Sequence, residues 1–149
     1  MIRFISITNI ARRRPAQRGG APYVSKMLVQ NWLDKLAQTA SHGNVDAHLE
    51  LISQNINIVD TNGEEPLEYK DWAEKCRQRF QANHPMRVSY RDMRIKTMTP
   101  ARVKFVATET VEQSDTVNKR GMEFIIQRED DGRWRAVQER ILPLPESAR

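Results

Sequence analysis

The stretch Gly121–Leu142, GMEFIIQREDDGRWRAVQERIL, predicts two long β-strands joined by a tight turn. The turn falls on Glu129–Gly132, because Gly132 can adopt the positive φ that such turns require. Side chains alternate in direction along a strand, so the position of the turn fixes which residues face each other. The pairs expected across the hairpin are Arg128 with Arg133, Gln127 with Trp134, Ile125 with Ala136, and Glu123 with Gln138.

This register divides the hairpin into two faces. On one face two polar residues, Glu123 and Gln138, lie side by side among apolar neighbours, which is typical of a strand that lines a cavity or has buried partners. The other face is apolar and consists of Met122, Phe124, Ile126, Val137 and Ile141. Because both faces are largely apolar near the middle, we expect both to be covered.

The composition indicates one globular domain. A chain of 149 residues can bury a substantial core, and no apolar run approaches the roughly 20 residues of a membrane-spanning helix. The single cysteine, Cys76, cannot form an internal disulfide, which favours a reducing, cytoplasmic location. The sequence contains no Cys/His spacing typical of zinc sites, no glycine-rich phosphate loop and no nucleophile elbow, so we expect no metal and no cofactor.

The net charge of +5 is concentrated at the N-terminus. Residues 1–26 contain six basic residues and no acidic one, whereas Met27–Arg149 contains 18 basic and 19 acidic residues. We therefore divide the chain into a disordered basic arm, residues 1–22, and a folded domain, residues 23–145. Because this domain is nearly neutral, we expect it not to bind nucleic acid. Three interpretations of the arm stay open: an inert extension upstream of a true start at Met27, a contact for acidic partners, or an organelle presequence.

Three helices are predicted ahead of the long strands. Apolar residues recur at four-residue spacing through Tyr23–Ala40, and Asn44 is a good N-cap for a second, short helix. A short strand, Asn55–Asp60, then alternates with Asp60 on its apolar face, and a third helix covers Leu67–Ala82.

Four long strands complete the chain. In the first, Met86–Met98, the alternation slips near Arg91-Asp92, which indicates a β-bulge. Arg102–Glu112 is the second, and the hairpin supplies the last two. The order of elements indicates an α+β fold, a curved antiparallel sheet wrapped over three N-terminal helices.

This element order resembles the nuclear transport factor 2-like superfamily, and within it the SnoaL-like and steroid delta-isomerase-like branch. Three local patterns carry the resemblance: the helix pair interrupted at SHGNVD (41–46), the strand end IVDTNG (58–63), and the closing DGRWRAV (131–137). The resemblance covers Val24–Leu142. It implies a cone-shaped half-barrel with a pocket enclosed between the sheet and the helices.

The resemblance also implies a catalytic arrangement. Steroid isomerases place a general-base aspartate at the end of the first strand, ahead of a turn glycine and a Glu-Pro pair, and Asp60 stands in that position here. At the positions of their tyrosine and protonated aspartate this chain has Trp32 and Glu123. Tryptophan can donate an N–H but is not an acid like a phenol, and glutamate reaches one methylene further than aspartate.

Two functional hypotheses follow. In the first, the protein is a binding domain that holds a small apolar ligand or a protein partner. In the second, it is a cofactor-free isomerase, cyclase or dehydratase that uses Asp60 as base and Glu123 as pocket acid. The residues expected to contact a ligand are Trp32, Ile58, Tyr90, Gln138 and Arg140. Structural alternatives stay open, since Asp60 is also an ordinary turn residue and Glu123 could pair with Arg140 or Arg102.

We also expect a homodimer. If Glu123 faces the helices, the opposite face of the hairpin would be an apolar patch of a kind that monomers rarely expose. A two-fold contact between copies would cover it. The residues assigned to this contact are Phe124, Ile126, Val137 and Ile141.

Overall fold

A computed structural model describes residues 25–59, 67–82 and 85–143. The candidate base Asp60 and the predicted basic arm lie outside these ranges. Eight elements follow one another along the described chain: α1 (Lys26–Ser41), α2 (Val45–Leu49), β1 (Ile52–Val59), α3 (Tyr69–Ala82), β2 (Arg87–Thr99), β3 (Arg102–Glu112), β4 (Val117–Arg128) and β5 (Trp134–Leu142). This is the predicted order, and the predicted bounds of β3 are confirmed.

The helices begin where the sequence supplies capping side chains. The Ser25 hydroxyl accepts a hydrogen bond from the Leu28 N–H at 3.2 Å, and the Asn44 side chain accepts one from the Ala47 N–H at 3.2 Å. The first helix therefore begins at Lys26 rather than at the predicted Tyr23. The short second helix ends at Leu49, and Ile52 begins the first strand.

The five strands form one sheet in the order β1-β5-β4-β3-β2. The α+β prediction is confirmed, with one refinement: β1 runs parallel to β5, while the other pairs are antiparallel. The predicted bulge in β2 is also confirmed, since the register shifts between Arg91 and Arg94 and Asp92 has a φ of 58°.

The register predicted for the β4–β5 hairpin is wrong by one residue. Gly132 does adopt a positive φ, 84°, but the Glu129 N–H donates to the Arg133 carbonyl at 2.8 Å, so Arg133 belongs to the loop. Arg128 consequently pairs with Trp134. A bulge in β5 then shifts the pairing again, and Glu123 lies opposite Arg140 instead of Gln138. A one-residue slip moves a strand's side chains to the opposite face of the sheet.

The predicted assignment of the two sheet faces is therefore inverted for β4, whereas Trp134 and Ala136 of β5 lie on the side of the helices as predicted. Phe124 and Ile126 are fully buried beneath α1, and the Phe124 ring lies 5.6 Å from the Trp32 ring and 5.3 Å from the Phe105 ring, centroid to centroid. Ile141 also packs against this core. We call the side of the sheet that faces the helices the inner face, and the opposite side the outer face. Phe124 and Ile126 belong to the core, so they cannot form the predicted dimer contact.

The outer face is covered by charged side chains rather than by another element of the described chain. Glu123 lies there, only 3% exposed, with Lys96 Nζ at 3.5 Å, Arg140 Nη1 at 3.6 Å and Lys104 Nζ at 4.0 Å. The long stems of lysine and arginine can bury a carboxylate while their charged ends stay in water. The expectation that both faces need an apolar cover is thus corrected for the outer one. No described helix is long and apolar enough to cross a bilayer.

Candidate functional site

A small, partly enclosed cavity of about 60 Å³ lies between the helices and the inner face of the sheet. One part of its wall is apolar, and the other part carries ionisable and hydrogen-bonding groups. The apolar part is formed by Leu36, Ala40, Met86, Val88 and Val111. The polar part is formed by His48, Trp72, Arg79, Tyr90, Glu109, Arg120 and Glu139.

Three of the polar groups form a connected network across β2, β3 and β4. The Tyr90 hydroxyl donates to Glu109 Oε2 at 2.7 Å, and Arg120 Nε donates to Glu109 Oε1 at 2.7 Å. Strand pairing explains the contact, because Tyr90 and Arg120 are the direct cross-strand partners of Glu109. Burial, followed by the charge of Glu109, raises the pKa of Tyr90, so its hydroxyl stays protonated and holds the carboxylate in place.

Glu139 is the second carboxyl of the cavity, and it is 6% exposed. No hydrogen bond or ion pair joins it to another of the residues the structure describes. Burial and the nearby charge of Glu109 raise its pKa from 4.5 to about 7, against the opposing effect of Arg79 and Arg120. A carboxyl whose pKa is raised to this range can either donate or accept a proton near neutral pH.

Two donors of α3, on residues that line the cavity, have no acceptor among the described residues. Trp72 Nε1 and Arg79 Nε are buried, and neither has a hydrogen-bond partner among the described residues. The two residues are seven positions apart on one side of the helix, and the Arg79 guanidinium lies 5.7 Å from the centre of the Trp72 ring. They also line an open depression of about 370 Å³ on the solvent side of α3. Trp72 and Arg79 thus separate the cavity from solvent.

His48 closes the cavity from α2. It is 4% exposed, its Nδ1 is 2.9 Å from the Thr39 hydroxyl, and its ring meets the Phe80 ring edge-on at 5.0 Å. Burial, followed by the charge of Arg79, lowers the pKa of His48 from 6.5 to about 4. The imidazole is consequently neutral at pH 7. Within the described ranges, no group of three or more His, Cys, Asp or Glu residues could hold a metal ion.

Two larger depressions open directly to solvent and differ from the cavity in their polar groups. In one, of about 420 Å³, the Ser53 hydroxyl donates to Glu129 at 2.7 Å and Arg135 contacts Glu129 at 2.9 Å and Asp131 at 2.8 Å. These contacts fasten the hairpin loop to β1. The other, of about 710 Å³, lies between the start of α1 and the same loop. We place the candidate site in the cavity, because the buried polar groups that the described chain leaves unpaired belong to residues of its wall.

Comparison with known proteins identifies the fold. No protein-family model and no curated protein matches the chain. Solved structures do match: a nuclear transport factor 2-like protein of unknown function from Pseudomonas putida KT2440 has a TM-score of 0.67 at 8% identity, over 78% of this chain and 84% of that one. A protein of unknown function with a cystatin-like fold from Nostoc punctiforme has a TM-score of 0.62 at 10% identity, over 78% and 88%.

The chain has the nuclear transport factor 2-like fold. A proposed aromatic ring hydroxylase from Novosphingobium aromaticivorans is also similar to it, with a TM-score of 0.65 at 13% identity, over 78% of this chain and 89% of that one. At such identities the likeness concerns the fold alone. The resemblance inferred from the sequence is thus confirmed at the level of architecture, and the particular branch stays a prediction.

The nuclear transport factor 2-like fold places the predicted site residues in three different environments. Tyr90 lines the cavity, and Ile58 packs against the core opposite Glu139 on the neighbouring strand. Trp32 is a core residue whose Nε1–H donates to the Trp134 carbonyl at 3.2 Å. The remaining three, Glu123, Gln138 and Arg140, lie on the outer face. The prediction that Glu123, Gln138 and Arg140 line the cavity is therefore wrong. The additional loop residue and the bulge of the hairpin place these three side chains on the outer face instead of the inner face.

Most polar residues of the cavity were not predicted as site residues from the sequence, and for three of them a signal was present. Glu109 alternates along β3 with the core residues Phe105 and Ala107, so its side chain lies on the same, inner face of the sheet. Arg79 follows Trp72 by seven residues on the apolar stripe of α3, and His48 falls within the short α2. Glu139 had no such signal, since only the bulge in β5 turns it inward.

Proposed function

We propose that this protein is a binding domain that holds a small amphiphilic molecule in the interior cavity, with an oxygen acceptor directed at Trp72 and Arg79. The observation that carries the proposal is the pair of buried, unpaired donors beside the unpaired carboxyl of Glu139. A buried polar group without a partner costs about 1–3 kcal/mol. A ligand that pairs with these groups recovers that cost on binding.

The lining also indicates the chemistry of the ligand. The two N–H donors fit a carbonyl, hydroxyl or carboxylate oxygen, and Glu139 fits a second oxygen because its raised pKa allows it to be protonated near neutral pH. Opposite them, Leu36, Val88 and Val111 offer an apolar wall. The ligand expected is therefore a small carbonyl compound or acid with an apolar body, which refines the small apolar ligand predicted from the sequence.

The size of the cavity sets a limit on this ligand. A volume of about 60 Å³ accommodates only a few non-hydrogen atoms, whereas typical ligand pockets measure about 300–1,000 Å³. Trp72 and Arg79 border both the cavity and the open depression beyond α3. A side-chain movement of these two residues would join the two spaces, and we propose this as the entry route for a larger ligand.

A thermal-shift screen of small ketones, enones and carboxylic acids tests the proposal. A compound that binds the folded protein at 100 times its Kd raises the free energy of unfolding by about 3 kcal/mol. We expect the stabilisation to fall in Trp72→Phe, which removes the donor and keeps an aromatic ring, and in Glu139→Gln. Glu123→Gln is the matched control, because it makes the same chemical change on the outer face. The absence of any stabilising compound, or equal stabilisation of all three variants, would contradict the proposal.

A second candidate function, proton transfer, is favoured by one further observation. The pKa of Glu139 lies at about 7, and the second carboxylate, Glu109, is held by Tyr90 and Arg120. A carboxyl with a pKa near the working pH is suited to take a proton from carbon and return it. The N–H groups of Trp72 and Arg79 would then stabilise the negative charge that develops on the substrate oxygen. In this cofactor-free reaction Glu139, rather than the predicted Glu123, is the ionisable carboxyl of the cavity.

Deuterium exchange distinguishes this function from simple binding. A carbonyl compound that stabilises the protein would be incubated with it in D₂O, and loss of its α-proton signals followed by NMR. We expect exchange with the wild type and with Glu123→Gln, and none above background with Glu139→Gln, although that variant still binds. Binding without exchange in the wild type would exclude proton transfer and leave the binding function in place.

A further inference from the structure

The outer face of the sheet collects basic side chains from β2, β3, β4 and β5. Its orientation is fixed by the cluster around Glu123, since residues directly paired across the strands point to the same side. Apart from Arg135, which is paired with Glu129 and Asp131, the basic residues on this face are Arg87, Arg91, Arg94, Lys96, Arg102, Lys104, Lys119 and Arg140.

This face is strongly charged although the domain as a whole is not. These eight basic side chains are accompanied by the acidic Glu112 and Glu123, and their net charge is +5 even when Asp92, in the neighbouring bulge, is counted with the acids. Met27–Arg149 has a net charge of −1, so the rest of this segment carries −6. The sequence-based expectation that basic charge is clustered only in the N-terminal arm is therefore corrected: basic side chains also gather on one face of the sheet.

Most of these cations are available for a partner. Arg87, Arg91, Arg94, Arg102 and Lys119 are exposed, and none of them forms an ion pair with another residue in the described ranges. The other three share the single carboxylate of Glu123. That shared contact holds their side chains close to the sheet while leaving an excess of two positive charges.

The composition of the face indicates which anionic partner it fits. Protein interfaces centre on apolar and aromatic residues, and single-stranded nucleic acids stack their bases on aromatic rings. The described outer face carries no aromatic side chain, and its central Val106 is covered. Double-stranded nucleic acid needs neither feature, because its phosphates are bound mainly by arginine and lysine. We propose that this face binds the phosphate backbone of a nucleic-acid duplex.

The dimensions of the face agree with this partner. A 13-residue strand such as β2 is roughly 40 Å long, and four strands span about 15–20 Å. One turn of a double helix is about 34–36 Å long. The face therefore covers about one turn along one side of a duplex. Contacts of this kind read no base sequence, so binding to DNA and RNA duplexes is expected to depend on salt much more than on sequence.

Fluorescence anisotropy with the full-length protein and labelled 24-base-pair DNA and RNA duplexes tests the proposal. The wild type should bind at 50 mM salt. Neutralising three exposed arginines, Arg91→Gln, Arg94→Gln and Arg102→Gln together, should lower the slope of log affinity against log salt by about 3 and weaken binding by roughly two orders of magnitude. The same positions changed to lysine should retain the slope, because the charge is kept.

A matched triple variant on the helices controls for loss of overall charge. Lys35→Gln, Lys70→Gln and Lys75→Gln remove three exposed cations from α1 and α3 and should leave binding unchanged. If the arginine variant does not fold, Arg87→Gln with Lys119→Gln provides a second test at the other end of the face. Absence of duplex binding, equal loss in the helix variant, or tighter binding to a single strand of the same length would overturn the proposal. So would a preference for anionic vesicles, or head-to-tail association of the protein at low salt.

Discussion

Replacing Glu139 with glutamine should change the pH dependence of stability in a defined direction. The folded-state pKa of Glu139 is raised from 4.5 to about 7 by burial and by Glu109, so the folded protein favours the protonated form. The stability that Glu139 contributes is fully present below pH 4.5 and is lost as the pH rises through 7. Between pH 5 and pH 8 this loss amounts to about 2 kcal/mol.

His48 acts in the opposite direction and has to be separated from Glu139. Its folded-state pKa is lowered to about 4, so the stability it contributes is present above pH 6.5 and is lost as the pH falls through 4. The two effects largely cancel in the wild type. The quantity to measure is therefore the difference in unfolding free energy between Glu139→Gln and the wild type. Both proteins contain His48, so its contribution cancels in this difference.

Urea denaturation followed by tryptophan fluorescence at pH 5, 6, 7 and 8 provides this difference. We expect Glu139→Gln to gain about 2 kcal/mol relative to the wild type between pH 5 and pH 8. The variant His48→Gln should show a relative change of similar size and opposite sign. A difference for Glu139→Gln that is constant with pH, or that falls as the pH rises, would refute the placement of an unpaired carboxyl in the cavity.

Three further predictions concern the fold. Phe124→Ala should lower the free energy of unfolding by about 3–5 kcal/mol in urea denaturation, because its ring is fully buried against Trp32; a loss below about 1 kcal/mol would indicate that Phe124 lies on the outer face. Asn44→Ala should cost about 1 kcal/mol through loss of the cap on α2, and an unchanged denaturation midpoint would contradict that role. Deletion of residues 1–22 should leave the melting temperature within error, as the absence of apolar periodicity predicts, and a loss of several degrees would show that the arm packs against the domain.

Local periodicity was enough to predict the order of elements. The four-residue spacing of α1, the Asn44 cap and the strict alternation of β3 are properties of short segments, so they can be read from the sequence. The bulge at Asp92 could also be predicted, because the alternation of apolar and polar residues in β2 is interrupted there. The architecture followed from these elements, because few arrangements cover the apolar side of such a sheet.

The site could not be predicted in the same way, because it depends on register. One additional loop residue, Arg133, and one bulge in β5 decide that Glu139 faces the helices and Glu123 faces outward. Both sides of the hairpin are apolar enough near the middle that the sequence does not distinguish inside from outside. The basic outer face could not be predicted for a related reason. The net charge of a chain does not show on which surface each charged side chain lies.

The indole N–H of Trp72 offers the most direct measurement of the central claim, that the interior cavity accepts a ligand oxygen. The chain has three tryptophans, so a ¹H–¹⁵N spectrum contains three indole signals, and Trp72→Phe assigns one of them. Titration with the most stabilising compound should move the Trp72 signal until it saturates. The signal of Trp32, whose N–H is already bonded to the Trp134 carbonyl, should stay in place. A stabilising compound that leaves the Trp72 signal unmoved would contradict the account.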